Sequence, residues 1–411
     1  MITIRLITLV DNYLAEVSSN YKYLANTYPK VKLLNFEKCK NFIMIIKRFN
    51  ASNFRNIEEC EIDFCKGVNF LFGNNAQGKT NVIEGIYLFS RGKSFRSSDD
   101  REMIGFDKDG FRISIAYEDK DGEGTLEYAC FGRERQRKKN GYKLSRVGEM
   151  IGSFRSVLFY PDDLDLVKGG PEGRRGFLNV ALSQCYPEYI SEYSRFKTAL
   201  DNRNGILKNA SKGNYYDEGE LLAWSMQMAE YASYIYCYRR EYLTRLSRHL
   251  GKIQEEMSGG KEKLELCFDC DIEADLSDRV KVKERYTEVF TANLEKEKIV
   301  GTSLYGPQRD DIEILLNQRS ARSYASQGQQ RSIVLSMKLA EGEVIKELYG
   351  EYPVFLFDDV LSELDSDRRR YCLSGMGERQ VIITSCESEM LKGEAGQVIE
   401  VKEGKYVSSY R

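Results

Sequence analysis

Two stretches lying far apart in the chain carry residue types suited to handling a triphosphate. The first is Gly73-Asn74-Asn75-Ala76-Gln77-Gly78-Lys79-Thr80, a glycine-bracketed loop closed by a lysine and a hydroxyl. It reads as a P-loop. Gly73 and Gly78 are expected to take φ > 0, and successive backbone N–H groups, with the positive helix end, to cradle a β-phosphate. Lys79 would reach the β/γ oxygens, and the Thr80 hydroxyl would hold Mg²⁺. The plainer alternative is a glycine-rich turn with an exposed lysine.

The second stretch is Val354-Phe355-Leu356-Phe357-Asp358-Asp359, where four apolar residues deliver two carboxylates to a strand end. It looks like a Walker B strand. Asp358 would bind Mg²⁺ directly or through water, and Asp359 would orient or deprotonate the attacking water. A turn capped by two acids is the simple alternative. Ser326-Gln327-Gly328-Gln329 adds a third feature, because Ser326 with Gln329 fits an S-x-x-Q capping box. The exposed N–H groups of that helix end could equally receive an anion.

These residues need elements to hold them. Val68 to Phe72 has the β-branched and aromatic content of a buried strand, and Val82, Ile86 and Phe89 come next at helical spacing, so the glycine loop sits between strand and helix. Val354 to Phe357 and Val381 to Thr384 read as further core strands, with Thr384 placed to touch a γ-phosphate or water. From 44 to about 160 the pattern is strand-rich. Between about 180 and 300, Tyr193, Phe196, Leu200 and Leu207, then Met228, Ala232, Ile235, Tyr242, Leu246 and Ile253, recur at helical intervals. Two long helices separated by the polar loop Ser211 to Asn214 are expected, forming an arm inserted into the strand-rich domain.

The resulting division is an N-terminal extension over 1–43, the first part of a nucleotide-binding head with the P-loop over 44–180, a helical arm over 181–300 and the second part of that head, with the Ser326 stretch and the acidic strand end, over 301–411. The extension shares no periodicity with the strand-rich segment beyond it, so the functional domain is expected to begin near Met44.

Bulk properties exclude little. With 61 basic and 63 acidic residues there is no global basic field, so any nucleic-acid surface must be local. Ten cysteines without regular spacing fit reduced thiols in a cytosolic compartment better than a disulfide framework. No apolar run approaches the ~20 residues needed to span a bilayer. Cys267 and Cys270 form a lone C-x-x-C in an alternating, strand-like segment. His249, the single histidine, stands near the end of the second long helix and is expected to face solvent.

Arg174 and Arg175 fall early in a helix, where a solvent role is the default. Arg133, Arg135, Arg137, Lys138 and Lys139 precede Asn140-Gly141, a hairpin-turn signal. Such a basic hairpin can lie along phosphates, or simply protect a sheet edge with charge.

Taken together, the glycine loop, the Ser326 to Arg331 signature and the doubled aspartate with its Leu361 to Asp365 tail resemble the ABC-type ATPases of DNA maintenance. Asn53-Phe54-Arg55-Asn56, Pro161 to Leu178 and Gly306-Pro307-Gln308-Arg309-Asp310-Asp311 narrow the resemblance to the RecF family of bacterial recombination-repair proteins, from Met44 to the C-terminus. That resemblance implies an α/β P-loop ABC-type ATPase head of the SMC kind, a mixed sheet with helices, bearing an inserted helical arm.

It also implies ATP and Mg²⁺ as cofactors, and an ATP-dependent homodimer in which Ser326, Gly328 and Gln329 of one copy close on ATP held by the other. Implied partners are gapped or single-strand/double-strand junction DNA, RecO and RecR, with loading of RecA as the outcome. Gln308 stands where the family commonly has histidine. No histidine comes after the last core strand, so Thr384 or Ser385 must serve there, and hydrolysis is expected to be slow. Rival readings are a membrane-transporter ATPase, an SMC-like chromosome organiser, for which residues 181–300 make too short an arm, and an ATP-gated DNA clamp with negligible hydrolysis.

Overall fold

In the computed structural model, residues 42–272, 278–361, 364–374, 378–386, 396–402 and 405–410 are described. The expected N-terminal extension, apart from Phe42 and Ile43, lies outside the described residues, as do Ser362 and Glu363 of the acidic tail. Phe42 and Ile43 form a short strand parallel to Glu351 and Tyr352.

A six-stranded sheet carries the two phosphate-handling stretches. Its order is Lys405–Tyr410, Gln397–Lys402, Val68–Phe72, Val381–Ser385, Val354–Asp358, Ser156–Phe159, with only the first of these antiparallel to its neighbour. Strands in the middle of a parallel sheet are covered on both faces and therefore read as continuous apolar runs. Val354 to Asp358 and Val381 to Ser385 are buried at every position. Phe357 and Phe159 stack across adjacent strands with ring centroids 4.1 Å apart.

A second six-stranded sheet is antiparallel, in the order Ile57–Asp63, Ile45–Phe54, Gly110–Asp119, Gly122–Phe131, Glu134–Lys139, Tyr142–Lys143. The P-loop helix, Lys79–Arg91, lies between the two sheets. Val82, Ile83, Ile86 and Phe89 share one core with Phe49 and Phe54 of the antiparallel sheet and with Leu71, Leu356 and Ile382 of the parallel one. A helix covered on both sides is apolar nearly all round. Its fit is close at Gly85, where a Cβ would stand 2.7 Å from the Phe49 ring.

The arm is a helical hairpin of Pro187–Ser211 and Glu218–Ser258. The second helix, 41 residues long, starts at Asp217, whose carboxylate accepts from Glu220 N–H at 3.1 Å, and ends at Gly259 in the left-handed region. Arg203 and Glu297, both fully buried and 2.6 Å apart, tie the hairpin to Leu294–Val300. The segment around Cys267 that alternates like a strand is one. Leu264–Asp269 pairs antiparallel with Asp311–Leu316, which anchors the base of the arm to the segment leading into the Ser326 helix.

Candidate phosphate-binding site

Because neighbouring strands run parallel, the ends of Val68–Phe72, Val381–Ser385 and Val354–Asp358 emerge on one edge, the usual ligand edge of such sheets. Gly73 continues the first of these, and its N–H donates to the Ser385 carbonyl at 3.3 Å. Gly78 has φ +105° as the cap of the P-loop helix. Gly73, expected to need φ > 0 as well, does not have it. Its requirement is space, since a Cβ there would fall 2.3 Å from the Val401 carbonyl oxygen. The second left-handed residue is Ala76, at φ 63°. Asn74, Asn75 and Ala76 are exposed along the loop and Gln77 is half-buried.

Lys79 is 8% exposed, and its ammonium donates to the Gly73 and Asn74 carbonyls at 2.7 and 2.8 Å. Burial lowers its pKa, an environment that favours an anion beside it. Thr80, one residue on, donates from Oγ1 to Asp358 Oδ1 at 2.9 Å. Thr384 donates to the same carboxylate oxygen at 2.9 Å, and its Oγ1 accepts from Asp359 N–H at 2.9 Å. The two stretches separated by 278 positions thus meet through one hydrogen bond. Burial raises the Asp358 pKa, and the two hydroxyls oppose that shift. Asp359 sits exposed beside it at φ 55°, a strained conformation for a non-glycine residue.

A further layer, not assigned from sequence, braces the loop. Asn56 donates to the Ala76 carbonyl at 2.9 Å and accepts from Asn81 at 2.6 Å. Arg55 grips the fully buried Glu84 of the P-loop helix through two bonds of 3.0 and 2.6 Å, and Arg96 reaches Glu84 at 3.4 Å. Asn53 and Arg55 both have φ near 55°, which turns the chain back so that these side chains face the loop. The sequence signal was present in the adjacent polar residues Arg55 and Asn56 between two apolar strands, but Glu84 looked like an ordinary helix residue.

Ser326 forms the capping box expected of it. Its oxygen accepts from Gln329 N–H at 3.3 Å, and Gln329 Oε1 accepts from Ser326 N–H at 2.9 Å. Ser326 is exposed, and Gln329 Nε2 donates to Glu262 at 2.9 Å. A Cβ on Gly328 would stand 3.3 Å from Arg368. The hydrogen bonds of this turn run within itself and to Glu262, whereas those of Lys79 and Thr80 run to the P-loop carbonyls and Asp358.

Two expectations are corrected. Arg174 does not face solvent: it is 4% exposed and grips Asp311 through bonds of 2.6 and 2.8 Å, while Arg175 donates to the Asp310 carbonyl. Both arginines hold the strand that leads into the Ser326 helix. His249 is half-buried, with Nε2 2.9 Å from Glu347. The Asn140-Gly141 turn has φ of 51° and 80°, the primed type that suits a hairpin. Along its basic strand Arg135 pairs with Asp100, Lys138 with Glu127 and Lys139 with Ser153, while Arg137 stacks over Tyr128 and Arg133 is exposed.

Residues 45–408 match the family model described as the RecF/RecN/SMC N terminal domain. The chain is 37% identical over 368 residues to the DNA replication and repair protein RecF of Exiguobacterium sp. strain AT1b, covering 88% of this chain and 98% of that one. It is 36% identical to the RecF of Shouchella clausii over 85% of this chain and 94% of the relative. The chain belongs to the RecF family.

Among solved structures, the recombination mediator protein RecF with ATPrS in the RecFOR pathway superposes with a TM-score of 0.84 at 32% identity, covering 90% of this chain and all of that one. The ATP form of that RecF gives a TM-score of 0.83. An Smc head from Pyrococcus furiosus, 15% identical, gives 0.52, which relates the folds. The ABC-type ATPase head expected from sequence is therefore the fold observed.

Proposed function

We propose that this RecF-family chain binds Mg²⁺-ATP at the Lys79 loop, dimerises through the bound nucleotide and acts on gapped or junction DNA in recombinational repair. One observation carries the reading: Thr80 and Thr384 converge on the buried Asp358 at the strand edge where the P-loop begins. It is supported by the RecF relatives and by the RecF structures named with ATP and ATPrS.

The donor set suits a hard cation, since Thr80 Oγ1 and a desolvated Asp358 carboxylate offer oxygen ligands only. Mg²⁺ held there would neutralise charge on the β and γ phosphates. The P-loop N–H groups and Lys79 bind and orient the triphosphate. Asp359, exposed at the rim, takes or orients the proton of an attacking water, and Thr384 fixes the Asp359 backbone. The exposed Ser326 turn offers N–H groups to a γ-phosphate held by a second copy, so ATP serves as the bridge and hydrolysis as the release. Hydrolysis is slow and works as a switch.

DNA contact falls mainly on phosphates and is salt-sensitive. Arg133 and Arg137 are the leading contacts on the basic hairpin, with Arg135, Lys138 and Lys139 released from their acidic or hydroxyl partners. RecR, RecO and RecA are the proteins with which such a clamp works.

Sedimentation velocity with and without ATP and a gapped duplex tests this. Dimers are expected only with ATP, and Ser326→Arg should keep ATP binding by the monomer while abolishing dimers. A Ser326→Arg protein that still dimerises with ATP overturns the composite site. Steady-state phosphate release by wild type and Asp359→Asn separates a working ATPase from a clamp that never hydrolyses.

A further inference from the structure

Away from the phosphate edge, three ionisable side chains are buried together where three parts of the ATPase head meet. Asp163 lies in the turn Pro161–Leu164 just after the strand Ser156–Phe159, itself paired with the Asp358 strand. Lys338 and Glu341 sit one turn apart on Gln327–Tyr349, the helix that begins at Ser326. The three are 5%, 5% and 3% exposed.

Lys338 Nζ is 3.0 Å from Asp163 Oδ1, and Asp163 Oδ2 accepts from Tyr160 N–H at 3.0 Å. Glu341 has no such provision, and its Oε2 is buried without a hydrogen-bond partner. A cavity of about 200 Å³ runs along the cluster, walled on the other side by Tyr87 and Arg91 of the P-loop helix.

Charge counting makes the cluster unusual. Lys338 pairs with Asp163 and with no second carboxylate, so an ionised Glu341 is a buried charge without an ion-pair partner. Of two buried carboxyls, the one lacking such a partner keeps its proton. Asp163 has both the lysine and a backbone N–H, so the proton belongs on Glu341.

Of the other groups facing Glu341, Tyr87, Tyr242 and Cys185 are buried and neutral, Tyr160 is likewise held neutral by burial, and Arg91 keeps its charge at the cavity wall, where it donates to the Ser94 carbonyl at 3.1 Å. Burial pushes the Glu341 carboxyl up to about 7, with Lys338 opposing and Asp163 reinforcing the shift.

We propose that Glu341 is a positioning residue that lets the Ser326 helix seat against the Pro161–Leu164 turn only while it carries a proton, so that its ionisation loosens that seam and weakens ATP-dependent association. This rests on the dimer reading above. The sign comes from linkage. A carboxyl whose pKa is raised in the closed seam favours that seam below the raised value, and the advantage is lost as pH rises through it. Glutamine keeps the shape and cannot ionise. Asp163→Asn leaves one carboxylate for one ammonium, so Glu341 ionises at lower pH as the partner of Lys338.

The experiment measures ATP-dependent self-association and binding of a fluorescent ATP analogue to the monomer from about pH 6 to about pH 8.5, with urea unfolding over the same range. For wild type, the association constant should fall above neutrality by up to about tenfold per pH unit for each Glu341, hence up to about a hundredfold for the two copies, with analogue binding flat. Glu341→Gln should hold the low-pH value throughout, and Asp163→Asn should shift the fall to lower pH. In unfolding, wild type should lose stability as pH rises and Glu341→Gln should lose less.

A wild-type profile without pH dependence, or the same profile in Glu341→Gln, overturns the proposal. Wild type that fails to associate at any pH sinks the dimer reading instead. The unfolding arm then still decides whether Glu341 holds the proton, and an identical slope in wild type and Glu341→Gln refutes it. Should Glu341→Gln fail to fold, the Asp163→Asn profile decides: an unshifted fall refutes the idea.

Discussion

The Lys79 half of the site and the Ser326 half are built differently. Around Lys79 the polar groups are knitted to the fold through buried partners: half-buried Thr80 to Asp358 and half-buried Arg55 to Glu84, with the exposed Asn56 bonded to the Ala76 carbonyl. Around Ser326 the turn is exposed and satisfies its own N–H groups with its own side chains. Desolvated groups held in place are preorganised for a ligand, because their reorganisation cost is met in folding. An exposed cap is indifferent to a ligand until a second surface excludes water from it. The Lys79 half is therefore preorganised within a single chain, while the Ser326 half is complete as a helix cap, and on the proposed reading it becomes a site only against a second copy.

Substitutions separate the two halves. The largest expected effect is on turnover: Asp359→Asn should lower steady-state phosphate release by about 10²- to 10⁴-fold with ATP binding retained. Equal loss of binding would place Asp359 in the binding half. Next comes Glu84→Ala, which takes the carboxylate from half-buried Arg55 and leaves it the Glu102 carbonyl and Ser97, and should cost about 2–3 kcal/mol in urea unfolding. A cost under about 1 kcal/mol would show that the brace is dispensable.

Lys79→Ala should weaken ATP by about 2–3 kcal/mol or more, read by equilibrium binding of a fluorescent analogue. The Mg²⁺-dependent part of that binding should fade on acidification, beginning above the ordinary carboxylate range. Asp358 must be ionised to ligate, and its pKa is raised by burial, so protons compete as pH falls through the raised value. Asp358→Asn should remove this dependence along with the metal effect. Smallest is Ser326→Ala, which removes a cap worth about 1 kcal/mol and should leave monomer ATP affinity unchanged.

Much of the phosphate edge was legible in the chain because its signals are local. A glycine-lysine-threonine loop after an apolar strand, and two aspartates after another, each identify themselves within a dozen residues. The Ser326 capping box and the Asn140-Gly141 turn are local too, and both have the expected geometry. The reasons behind some residues were not legible. Gly73 looked like a φ > 0 position, but it is small because the Val401 carbonyl approaches it from more than 300 positions away, a closeness that only the sheet order creates.

Arg174 and Glu84 illustrate a second limit. A charged residue in a helix is read as exposed unless its partner is known, and Asp311 and Arg55 lie 137 and 29 positions off. The strand within the arm, Leu264–Asp269, alternates in sequence, yet its pairing with Asp311–Leu316 depends on where the 41-residue helix returns the chain.

What the sequence by itself determined was the chemistry available: a phosphate loop, an acidic strand end, a serine-capped helix and two long amphipathic helices. Residue type, glycine placement and periodicity are properties of neighbouring positions and survive without a fold. Only the tertiary structure decided that Thr80, Asp358 and Thr384 share one carboxylate oxygen, that Arg174 is a buried clamp, and that Asp163, Lys338 and Glu341 meet with one positive charge among two acids. Hydrogen bonding and desolvation act through space over a few ångströms, and folding alone brings distant positions that close.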